Sequence, residues 1–198
     1  MRGAKINGFR GEFKSSFLSC EKDTETIIRK LFVDSRPYSD VLKRLLLINT
    51  SDCLEDMTNQ TYIDKIKNTS IAEMRKEGYI RLTPKIKLGE NEEVKSYLVI
   101  SFDNFSPTAT NPQFRDNVIM IDIICHTDYW EMGDYRLRPL KIAGYIDGIL
   151  NECRLSGIGK LQFIGCNEIV LSEELSGYCL MYAAVHGSDD EIPEAADE

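Results

Sequence analysis

The chain has 198 residues, 42% hydrophobic and 28% charged, which suits a soluble globular domain able to bury roughly 70% of its unfolded surface. No apolar run approaches the ~20 residues that cross a bilayer, and the N-terminus carries no readable secretory signal, so membrane insertion and export are not expected. The formal charge of −8 is concentrated at the C-terminus, where "DDEIPEAADE" holds six acids; the remainder carries 26 acidic and 24 basic residues and has no basic surface for sequence-independent nucleic-acid binding.

Residues 1–19 read as an extended, Gly-punctuated arm, with a net charge of +3 over "MRGAKINGFRGEFKSSF". Residues 20–78 read as a helical section. "KDTETIIRKLFV" puts Ile27, Ile28, Leu31 and Phe32 on one stripe, and "SDVLKRLLLI" repeats the pattern after Arg36-Pro37. A weaker helix is predicted over "YIDKIKNTSIAEMRKEG", ending at Gly78.

From Tyr79 the character is β. "YIRLTPKIKL" is interrupted by Pro84 and suits an edge strand or a loop arm. "VKSYLVISFDNF" alternates, "SPTATNPQ" is a hairpin tip, and "FRDNVIMIDIIC" is the strongest strand signal in the chain. A helix is predicted over 137–152, followed by three short strands, "KLQFI", "NEIVL" and "GYCLMYAAV", separated by Gly165 and by Ser176-Gly177. Helices, a hairpin, a helix and a meander, without βαβ alternation, predict an α+β fold: a mostly antiparallel sheet with a long packed helix, over 79–187. Residues 188–198 are expected to hang in solvent, since they cannot bury enough apolar surface to order themselves.

The strongest strand settles what its polar end can do. Ile119, Ile121, Ile123 and Cys125 share one face; Val118, Met120, Asp122, Ile124 and His126 share the other. Both faces are nearly apolar, so the sheet needs covering on two sides, and one helix layer supplies one. A second copy of the chain is the expected cover for the other. Cys125 and His126 point to opposite faces and cannot touch, although Cys125–His186 and Cys179–His126 dyads remain conceivable. The six cysteines, Cys20, Cys53, Cys125, Cys153, Cys166 and Cys179, form no C-x-x-C pair and read as buried free thiols. With two isolated histidines there is no ligand spacing for a metal. No enzymatic site, cofactor or metal is expected.

After the strand, "HTDYWEMGD" reads as a polar turn in which Asp134 or a neighbour caps the next helix, with Pro139 in its first turn. Trp130 either packs over the sheet edge or lies at an interface. Gly144 and Gly148, four apart on that helix, suggest either a close approach to the sheet or a neighbouring helix, or a tolerated accident. "GIGKLQFIG" is a turn before a strand rather than a phosphate loop.

Taken together, the hairpin "YLVISFDNFSPTATNPQFRDNVIMIDIICHTD", the helix "LRPLKIAGYIDGILNE" and the closing "YCLMYAAVHG" resemble the tail-completion or tail-terminator proteins of long-tailed bacteriophages. The resemblance runs from Tyr97 to Val185 and rests on the order of elements and on an "IDIxxH"-like strand end. It implies a virion protein, present in the host cytoplasm during assembly, that forms a ring, commonly a hexamer. Such a ring stops the tail tube, docks it to the neck connector and lets genomic DNA pass without specific binding. Another neck or adaptor ring of the same particle is the nearest alternative, and a cellular oligomeric interaction domain the next. Phe105, Phe114, Arg115, Met120, Asp122, Asp128, Trp130, Arg136 and Arg138 are the residues expected at its subunit or partner interfaces.

Overall fold

The structure, a computed structural model, describes residues 5–6, 9–10, 16–83, 94–108, 111–133, 135–155 and 160–186. Most of the expected N-terminal arm, the acidic tail, Pro84 and Asp134 lie outside the described residues. Lys5–Ile6 (β1) and Phe9–Arg10 (β2) form a two-stranded ladder. Helix α1, Ser16–Arg29, starts earlier than the apolar stripe alone indicates and runs into a π-helical turn over Lys30–Asp34. Ile27, Ile28, Leu31 and Phe32 are all buried, as their spacing requires. In α2, Tyr38–Leu47, Leu42, Leu45 and Leu46 fill the same core.

The weaker helix of the sequence is two helices, α3 (Gln60–Asn68) and α4 (Ile71–Lys76). Ser70 divides them. Its hydroxyl accepts from the Glu73 N–H at 3.2 Å while the Ser70 N–H donates to the Glu73 carboxylate at 2.7 Å, a reciprocal cap that starts a new helix. Gly78, at φ +78°, ends it: the Gly78 N–H donates to the Arg75 carbonyl and the Tyr79 N–H to the Met74 carbonyl. Left-handed glycine with these two bonds is the low-cost way to stop a helix, and Gly78 marks the stop as predicted.

The main sheet has the order β3-β4-β5-β9-β8. Its strands are β3 (Ile80–Arg81), β4 (Tyr97–Thr108), β5 (Asn111–His126), β8 (Gln162–Val170) and β9 (Leu175–His186). Only the β3–β4 pairing is parallel; the other three are antiparallel, so the fold is α+β as the element order indicates. A small ladder, β6 (Glu131–Met132) with β7 (Arg136–Leu137), leads into α5, Arg138–Leu150. Among the described residues no helix is long and apolar enough to cross a membrane.

Two expected strands merge. "QFI" of the first and "NEIV" of the second belong to one strand, β8, because the register shift between Phe163 and Gly165 absorbs the extra residue as a bulge instead of ending the ladder. Ser176 and Gly177 likewise lie inside β9, opposite Cys125 and Ile124. The α5 N-cap is Leu137, which makes no side-chain cap; Pro139 does sit in the first turn.

One face of the sheet is sealed by helices. Leu98, Ile100, Ile119, Ile121, Ile123, Cys125, Leu180 and Tyr182 join a single core with α1, α2 and α5. On the opposite face, among the described residues, Tyr97, Val99, Ile124 and Leu175 form a second, smaller cluster at one end. The helical section is locked to the core by Arg138. Its side chain is fully buried and donates to the carbonyls of Leu45 (2.7 Å), Ile48 (3.0 Å), Thr50 (2.5 Å) and Tyr129 (2.8 Å). Three of these acceptors are at and just past the C-terminal end of α2, where carbonyls lack helical partners and the helix dipole favours a cation.

Candidate interaction surfaces

Strand register removes both conceivable thiol–imidazole dyads. Cys125 pairs with Ser176 and Arg115 with His186, so Cys125 and His186 are ten positions apart along the ladder, roughly 33 Å at ~3.3 Å per residue. Cys179 faces Asp122 while His126 faces Leu175, a separation of four positions and about 13 Å. Cys125 is fully buried, and burial pushes its thiol up to about 11, away from the nucleophilic thiolate. The His126 Nδ1 accepts the Asp128 N–H at 3.2 Å, so the imidazole caps the 3₁₀ turn Thr127–Tyr129 that follows the strand. The Cys-His-Thr-Asp run is where a strand stops. Among the described residues no cluster of three or more His, Cys, Asp or Glu could hold a metal.

The nine residues expected at interfaces fall in separate places. Phe105 is exposed at the far end of β4 and stacks at 4.9 Å on Phe17, over which the Arg115 guanidinium lies, also at 4.9 Å. Phe114 sits in β5, but its side chain is outside the described residues. Met120 and Asp122 are half-buried on the partly covered face of the sheet, and Asp128 is exposed in the turn at the other end of β5. Trp130 is half-buried, packed on the main core and tilted against Tyr178 at 6.2 Å. Arg136 is half-buried in β7. Arg138 is inside the fold, its guanidinium consumed by four carbonyls of its own chain, and presents nothing to a partner.

The partly covered face has an electrostatic oddity at its centre. Asp122 stands opposite Cys179, and its Oδ1 is buried without a hydrogen-bond partner. Desolvation raises the Asp122 carboxyl, with the Cys179 thiol pulling the other way; burial and the facing carboxylate push that thiol up to about 12. A carboxyl whose pKa is raised on folding favours the folded state only when protonated. Its charge therefore opposes folding at neutral pH, and the penalty fades as pH falls through the raised pKa towards the ordinary value of 3.8. Asp122→Asn is expected to raise the thermal midpoint at pH ~7 and to lose that advantage near pH ~4 in paired melts.

Gly144 and Gly148 do not make the close approach their spacing suggests. Both are exposed on α5, and a Cβ added to either meets nothing within 4 Å. They line an open groove of about 480 Å³ with Tyr38, Leu140, Tyr145 and Ile149. Within the chain they only weaken the helix. Replacing each with alanine is expected to stabilise the isolated chain by about 0.5–1 kcal/mol, read as a higher urea midpoint at unchanged m-value.

The feature that sequence reading misses is the last strand of the sheet. In β8 nearly every residue is exposed or half-exposed on both faces, including Phe163 (42%), Ile164 (52%) and Val170 (71%). The signal in the sequence is a strand-length run, "QFIGCNEIV", with one charge, no lysine and no proline. At the opposite edge, among the described residues, β3 covers β4 at Leu98 and Val99 alone. Beyond them lies a cleft of about 1090 Å³ between α1, α4 and the bare flank of β4. A family model described as YomW matches residues 39–184, about three-quarters of the chain, from α2 to the end of β9. No curated protein matches the chain.

Proposed function

This chain belongs to the YomW family, a phage-associated one, and on that premise we propose that it is a structural protein of the virion. In this reading it forms a ring, of six copies, at the head–tail junction. The ring ends the tail tube, docks it to the neck connector and leaves a passage for DNA. Its function is geometric, with no covalent chemistry, cofactor or metal.

The observation that carries the reading is the half-finished sheet. One face is sealed by the chain's own helices, whereas Val118, Met120, Asp122, Met181 and Ala183 remain half-exposed on the other. A buried carboxylate oxygen without a partner on that face is also tolerable if assembly or solvent supplies a donor. Closing a ring requires two different patches on each copy, and the molecule has distinct surfaces at the two sheet edges.

The test is negative-stain imaging with light scattering, on the purified chain alone and mixed with tail-tube subunits of the same phage. Closed rings that cap tube ends are expected. A chain that stays monomeric at every concentration, alone and with tail subunits, overturns the reading.

A further inference from the structure

We propose that copies of this chain join edge to edge: the outer edge of β8 in one copy adds as a strand to the bare edge of β4 in the next. This inference rests on the ring reading and names its joint.

An uncovered strand edge presents a row of peptide N–H and C=O groups, and monomeric proteins blunt such edges with lysine, proline or a covering loop. Among the described residues β8 carries no lysine, proline or covering loop over its nine residues. Its one irregularity is the bulge between Phe163 and Gly165, which leaves residues 165–170 in regular register. One of its amides, that of Phe163, donates to the Asn151 side chain at 3.2 Å; Glu168 is its only charge. Flanking apolar side chains, Ile164 and Val170, face solvent. The strand therefore has both the polar backbone row and the apolar surface that strand addition consumes.

The matching surface is on the same molecule. The Leu98 N–H donates to the Tyr79 carbonyl, which fixes the backbone groups of Leu98 as outward-pointing; by alternation those of Ile100 and Phe102 point outward too. Beyond Val99 no strand covers them among the described residues. The uncovered part runs from Ile100 to Thr108, and its regular stretch is Ile100 to Asp103. The register shifts at Asn104 (φ 55°), and Pro107 removes a further edge N–H, so the joint is placed on residues 100–103. The adjoining cleft has room for the side chains an added strand brings.

Strand direction makes the second copy the fitting occupant. β4, β5, β9 and β8 alternate in direction, so β8 runs opposite to β4. Rotating a copy about an axis along the strands brings its β8 against the next β4 in antiparallel sense, continuing the alternation of strand directions across the joint. The helix-covered face also stays on the same side in every copy. The two edges differ, so the contact is head-to-tail and propagates until it closes.

Two variants test this. In the first, Ile164→Lys with Val170→Lys blunts β8; in the second, Asp103→Lys with Phe105→Lys blunts the β4 edge. All four positions are exposed, so circular dichroism is expected to stay native. Each variant alone is expected to run as a monomer, and the two mixed to form a one-to-one dimer through the single intact joint. That mixed dimer also certifies that both variants are folded. If the β4-edge variant alone dimerises, the contact is β8 to β8 and the proposal fails. If wild-type rings form and both variants still form them, the edge joint is wrong and the ring reading survives. Mixed dimers with wild-type filaments in place of closed rings keep the joint and overturn the ring. A wild type that is monomeric throughout overturns both.

Discussion

Replacing Arg138 with methionine is expected to cost about 3–5 kcal/mol, a large share of a typical domain's total stability. The side chain is fully buried, and removing its guanidinium strands the buried carbonyl oxygens of Leu45 and Ile48 and takes a charge-assisted partner from the part-buried ones of Thr50 and Tyr129. Each unsatisfied buried acceptor costs about 1–3 kcal/mol, and partial relaxation limits the sum. Lysine restores the charge but not the fork; its single ammonium cannot reach acceptors lying on both sides of a planar guanidinium, so Arg138→Lys is expected to recover only part of the loss. Urea unfolding followed by circular dichroism measures both. If Arg138→Met melts like the wild type, the helical section is not held to the core by this residue. If the section 16–78 alone unfolds first, in two steps, Arg138 is its main tie.

Arg138 also shows where sequence reading stops. An arginine in the first turn of a helix looks like a surface charge, and its fate is decided by carbonyls 88 to 93 positions away in the chain. Local patterns fare better. The spacing of Ile27, Ile28, Leu31 and Phe32 locates a helix stripe, the alternation from Val118 to His126 assigns both faces of β5, and Gly78 marks a helix stop, because each is set by periodicity or by a single backbone conformation. The opposed faces of Cys125 and His126 follow from the same alternation. The candidate interaction surface is less legible. Whether β8 is a central strand or an edge depends on sheet order, which no local pattern encodes, and Gly165 reads as a break until the register reveals a bulge.

Gly177 carries the second large effect, and it is one the sequence presents as a turn. In the structure it lies inside β9, opposite Ile124, with β5 backbone closer than any side chain tolerates. A Cβ at this position would overlap the Ile123 carbonyl oxygen and stand 2.8 Å from the Ile123 carbonyl carbon and 3.2 Å from the Ile124 Cα. These are backbone atoms of the central strand, so no rotamer change relieves the clash; β5 and β9 must separate locally. Gly177→Ala is therefore expected to lower stability by about 3 kcal/mol, the upper range for overpacking, and to speed hydrogen exchange at neighbouring amides of both strands. The α5 alanines at Gly144 and Gly148 provide the contrast, since the same substitution there is expected to act with the opposite sign. If Gly177→Ala leaves the urea midpoint and the exchange rates of Ile123 and Ile124 unchanged, the two central strands are not packed as closely as described. The seam that orients β8 at the edge then has to be drawn differently.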